Sequence, residues 1–79
     1  NPVQHAVSVY PNPANDMLHI SAENGMTSVR IMNKVGQLIL TRNTEANAFT
    51  VNVSAFPTGV YFVEVTTTEG SVTEKLLIQ

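Results

Sequence analysis

A chain of 79 residues has room for one domain, since single cores occupy roughly 50 to 200 residues, and it contains no cysteine, so no disulfide or thiolate site is available. Its four Lys and Arg against six Asp and Glu give a net charge of −2. The basic residues Arg30, Lys34, Arg42 and Lys75 are scattered, which argues against a nucleic-acid partner.

Only 13% of residues are charged, while Thr, Ser, Asn and Val abound, a mix that leans toward an extracellular all-β module. No apolar run approaches the roughly 18 residues that a membrane helix needs, so no membrane insertion is expected. No basic-then-apolar leader is present, so a signal for export is expected to lie outside this sequence.

Period-two alternation runs from end to end, with no sustained helical spacing. The first predicted strand is Ala6 to Tyr10, with Val7 and Val9 on one face. It ends at Tyr10, Pro11, Asn12, Pro13, Ala14, where two prolines remove two backbone donors. The second strand, Met17 to Ser21, turns Leu18 and Ile20 one way and Met17, His19 and Ser21 the other. Asn24 and Gly25 tolerate positive φ and predict a hairpin into a third strand, Ser28 to Met32, with Val29 and Ile31 inward.

Asn33 to Gln37 forms the next turn, with Gly36 where a left-handed residue is required. Strand four, Gln37 to Arg42, is expected to bury Leu38 and Leu40. The polar stretch Asn43 to Asn47 is longer than a tight hairpin and is suited to cross between sheets. Strand five, Phe49 to Val53, carries an inward row of Phe49, Val51 and Val53.

The turn Ser54 to Gly59 places Phe56 as a plug, with Pro57 and Gly59 setting its backbone. Strand six, Val60 to Thr67, is apolar on both faces and hence predicted central: Tyr61, Val63 and Val65 share one face, Val60 and Phe62 the other. Glu69 and Gly70 turn the chain into strand seven, Ser71 to Ile78, with Val72, Leu76 and Ile78 inward and Thr73 and Lys75 outward. Seven short strands at this spacing predict an all-β, seven-stranded, immunoglobulin-like antiparallel β-sandwich.

Catalysis needs a nucleophile, a base and an orienting group, or metal ligands, gathered in one cleft. His5, His19 and Asp16 are the scarce candidates, and their spacing matches no ligand pattern. The plainer expectation is a solvent-facing His19 and an Asp16 that closes its turn through its own backbone. No phosphate loop, carboxylate pair or cysteine nucleophile is present, so no enzyme, cofactor or metal is expected. Asn52, Val53, Ser54 fits the glycosylation acceptor pattern but falls at a strand end. Tyr10, Phe49, Phe56, Tyr61 and Phe62 could form a sugar-stacking platform, although alternation assigns three of them to the core.

The order and spacing of Tyr10 to Ala14, then Leu18 and Ile20, then Val29 and Ile31 ahead of Gly36, then Phe56, Pro57, Thr58, Gly59, Val60 and Tyr61, and finally Lys75, Leu76, Leu77, Ile78 and Gln79, resemble the C-terminal sorting domain of the bacterial type IX secretion system. The resemblance covers nearly all of the chain. Phe56 departs from it, standing where a leucine is commoner, a volume change that a core can absorb.

The resemblance implies a secretion address at the end of a larger exported protein, with residues 1–79 as a single sorting domain. Such a protein reaches the periplasm by an N-terminal signal peptide. Its sorting domain is read by the outer-membrane translocation machinery, and a sortase-like peptidase removes it as the cargo is attached to the cell surface. One physical expectation follows for strand seven: an unpaired edge or terminal apolar patch, Leu76 to Ile78, could serve as the docking surface. The alternative is a fibronectin-like or carbohydrate-binding accessory sandwich of an adhesin or polysaccharide-degrading enzyme.

Overall fold

Rows of apolar side chains that alternate along seven strands can leave water only if two sheets face one another. The computed structural model, which describes residues 7–23 and 25–79, has that arrangement. The strands are β1 (Val7–Tyr10), β2 (Met17–Ala22), β3 (Ser28–Asn33), β4 (Leu38–Asn43), β5 (Ala48–Asn52), β6 (Gly59–Thr67) and β7 (Gly70–Ile78). They form a three-stranded sheet ordered β1-β2-β5 and a four-stranded sheet ordered β4-β3-β6-β7, with every pairing antiparallel. The expected seven-stranded sandwich is the observed fold. Relative to a constant immunoglobulin domain, the fourth strand pairs beside the third rather than beside the fifth.

The core lies between the sheets. Leu18, Ile20, Val51 and Val53 face Val29, Ile31, Val63, Val65, Leu76 and Ile78, and Ala14 and Met26 plug in from loops. Side chains of this size contribute about 1.5–3 kcal/mol each when fully buried. β6 lies between β3 and β7, as its two apolar faces predicted. The polar stretch after β4 crosses to the other sheet, as expected.

Two expectations are corrected. Gly25, at φ +86°, is not part of a β2–β3 hairpin, because those strands belong to different sheets. Its N–H donates to the Ala22 carbonyl at 3.0 Å, and the turn drops Met26, 1% exposed, into the core. Positive φ serves a corner between sheets as well as a hairpin, and the burial of Met26 decides between them here. Asn24, Ala6 and His5 lie outside the described residues.

Leu38 is the second correction, being 46% exposed rather than buried. Ile31 pairs with Leu40, but Met32 pairs with Leu38, so a bulge at Ile39 adds one residue to β4. One extra residue reverses the face of everything beyond it, which puts Leu38 outside with Met32.

Candidate functional site

The motif residues lie far apart in sequence and close together in space. Ala14 bridges Ile78 in parallel register, Gly59 pairs with Ile78, Tyr61 pairs with Leu76, and Asn33 pairs with Tyr61. Those pairings bring Tyr10–Ala14, the Gly36 turn, Pro57–Tyr61 and Lys75–Gln79 to one pole of the sandwich. The other pole holds the β2–β3 corner, the β4–β5 crossing and the β6–β7 hairpin. Val7, paired with Ala22, stands at that far pole.

The Tyr10–Ala14 segment is bound to the outer edge of β7. Asn12 Nδ2 donates to the Lys75 carbonyl at 2.8 Å, and the Leu77 N–H donates to Asn12 Oδ1 at 3.0 Å. Ala14 N–H donates to the Leu77 carbonyl at 2.8 Å, and Gln79 N–H donates to the Ala14 carbonyl at 2.9 Å. The Asn12 amide presents one donor and one acceptor, as a neighbouring backbone would, so it acts as a surrogate strand residue. Pro11 and Pro13, which flank it, have no N–H to donate, and the backbone bends through this segment. The expectation of a free edge at the end of β7 is therefore not met. Backbone groups of Lys75, Leu77 and Gln79 that would template another strand are already engaged.

The Pro57–Tyr61 turn is fixed from within. Tyr61 is buried, and its hydroxyl donates to the Pro57 carbonyl at 2.7 Å, the closure known as a tyrosine corner. Its ring lies against Phe56, with centroids 5.7 Å apart, so Phe56 is the expected half-buried plug. Beside this turn, Asn33 organises the β3–β4 turn. Its Oδ1 accepts from the N–H groups of Val35 (3.1 Å) and Gln37 (2.9 Å), while Gly36 takes φ +87°. A cleft of about 260 Å³ lies between the two turns, running from Asn33–Val35 to Pro57–Tyr61.

The remaining candidates are dispersed. Exposed His19 stacks on Tyr10, with centroids 5.3 Å apart, on the outer face of the three-stranded sheet. The Asp16 carbonyl accepts the Val53 N–H at 2.7 Å, which extends the β2–β5 pairing by one bond rather than closing the Asp16 turn on itself. Among the described residues, no three His, Asp or Glu side chains gather as metal ligands. Asn52 Oδ1 accepts from Ser54 N–H and Oγ at 2.9 and 2.7 Å, so this triplet is a closed side-chain turn. The five aromatics share no platform. Tyr10 faces out from one sheet and Phe62 from the other, and Phe49, Phe56 and Tyr61 pack with the core.

The model of the family described as the secretion system C-terminal sorting domain matches residues 8–79. Ulvan lyase NLR42 of Nonlabens ulvanivorans is 33% identical over 75 residues, covering 92% of this chain and 14% of that protein. PorZ of Porphyromonas gingivalis, an essential bacterial surface component of the type IX secretion system, superposes with a TM-score of 0.73 and 24% identity. That match covers 94% of this chain and 11% of PorZ, and it speaks for the fold. The chain thus spans a small fraction of either protein, and the lyase activity in the first name is said of that larger relative. With nearly its whole length matched, the chain belongs to the secretion system C-terminal sorting domain family, the non-catalytic signal that sorts proteins for export to the cell surface or medium by type IX secretion.

Proposed function

We propose that this chain is the terminal address of a larger exported protein, read as a folded body at its motif pole. The carried protein joins upstream of Val7 and crosses to the periplasm on its own signal peptide. The outer-membrane machinery then engages the pole formed by Tyr10–Ala14, Gly36, Pro57, Gly59, Tyr61 and Lys75–Gln79. A sortase-like peptidase removes the domain as the cargo is fixed at the surface.

One observation carries this reading: four segments spread along the chain are joined at one pole, while Val7 stands at the other. A cargo attached before Val7 leaves the motif pole uncovered. The test is a fusion of residues 1–79 behind a reporter with an export signal peptide, in a bacterium that has the type IX system. Surface-exposed or released reporter, shortened by loss of the domain, is expected. Reporter that stays in the periplasm overturns the sorting role, and reporter that reaches the surface at full length overturns the removal step.

A further inference from the structure

The outer face of the four-stranded sheet is divided into two halves of opposite character. Pairing across the strands sets Leu38, Met32, Phe62 and Lys75 in one row, and the register of the neighbouring strands sets Val60 beside Leu77 toward the motif pole. One row farther from that pole, the same face carries Thr41, Arg30, Glu64 and Thr73. There Arg30 and Glu64 form an ion pair at 3.4 Å. Polar residues are accepted on this face, so the five apolar side chains beside them depart from the alternation that a solvent-facing sheet calls for. The bulge at Ile39 adds to the departure, because it is what turns Leu38 outward.

We propose that this apolar half-face is the docking surface for a protein of the export machinery, one bearing an apolar ridge bordered by carboxylates. The inference rests on the sorting role. The patch is continuous with the motif pole: Val60 adjoins Gly59 and Tyr61, and Lys75 and Leu77 belong to the terminal motif. Its margin is basic, with exposed Lys75 at one side and exposed Lys34 beside the cleft at the other. Lys75 makes no ion pair among the described residues. The one carboxylate on the adjoining row, Glu64, is already paired with Arg30. An apolar centre with exposed cations at its rim suits a protein partner, in which buried side chains give affinity and rim charges give orientation.

Three variants of the fused chain test this in the bacterium described above. Val60→Thr combined with Phe62→Thr removes apolar surface while keeping residues suited to strands. Lys75→Glu reverses the rim charge, and it leaves the Asn12 bond untouched because that bond uses the Lys75 carbonyl. Glu64→Gln alters only the polar half. Surface reporter is expected to fall about tenfold or more for the first two and to stay at the wild-type level for the third. If the double variant does not fold, as judged by circular dichroism, Lys75→Glu decides alone.

Wild-type export by Lys75→Glu, and by the double variant where it is folded, overturns the docking surface while the sorting role stands. Failure of the unmodified fusion to leave the periplasm sinks the sorting role and the surface with it. Dimers of the purified chain that dissociate on Phe62→Thr, or its flotation with phosphatidylethanolamine vesicles, would assign the patch to a second copy or to lipid and likewise overturn the proposal.

Discussion

Leu77 is held to Asn12, 65 positions away, by a backbone N–H that donates to a side-chain oxygen at 3.0 Å. With the partner bond to the Lys75 carbonyl, one exposed amide ties the β1–β2 loop to the last strand. Asn12→Ala should therefore lower stability by about 1–2 kcal/mol, because two bonds are lost but water can replace them at this exposed position. In a domain of this size that is a fall in melting temperature of roughly 4–16 °C. Asn12→Asp keeps the acceptor but sets a carboxylate against a carbonyl, and should cost at least as much. Thermal melts followed by circular dichroism check both, and an unchanged midpoint would remove the bond from the account.

Tyr61→Phe removes only the hydroxyl that closes on Pro57 at 2.7 Å and leaves the ring against Phe56. The expected loss is about 0.5–1.5 kcal/mol, with an unchanged urea m-value, since the exposed surface does not change. A loss above roughly 3 kcal/mol would mean that the ring itself had moved.

Gly36 has φ +87°, and no atom stands within 4 Å of where a Cβ would project. The cost of Gly36→Ala is then purely conformational, about 1–2 kcal/mol. Gly36→Asn should be milder, because asparagine tolerates this region. Equal melting points for Gly36→Ala and wild type would exclude the left-handed turn.

Met26 is 1% exposed and Met17 is 39% exposed. Met26→Ala should destabilise by about 2–5 kcal/mol and Met17→Ala by no more than about 0.5 kcal/mol. Urea titration of the pair separates them, and similar losses would contradict the sheet-to-sheet corner that buries Met26.

Ile39, 43% exposed at the bulge of edge strand β4, can be replaced by lysine with little effect on folding. The Ile39→Lys change should move stability by less than about 0.5 kcal/mol and reduce aggregation on heating. Light scattering during a thermal ramp reads this directly; unaltered scattering would show that β4 is not the sticky edge.

The strands were legible because alternation is a local property, and Leu18, Ile20, Val29, Ile31, Val63 and Val65 each fall where period two put them. Features set by distant parts of the chain were not. Gly25 announces positive φ but cannot say which sheet the next strand joins. Leu38 looks inward until Ile39 is seen to be an extra residue, and no property of that isoleucine marks a bulge. Asn12 between two prolines looks like a strand terminator, because its hydrogen-bond partners lie more than sixty positions later. The resemblance had already grouped these segments by order, and the structure shows that they meet. Asn33 was missed as the organiser of its turn, although an Asn ahead of Gly36 was an available signal.

The binding of Asn12 and Ala14 to Lys75, Leu77 and Gln79 also has a meaning in time. None of these four bonds can form until residues 75–79 have been made. Closing so long a loop is slow, and it is rewarded only at the end. A polypeptide cut short before Lys75 leaves Asn12 and Ala14 without these partners. The sealed edge thus records that residues 75–79 have been made and have folded against the β1–β2 loop.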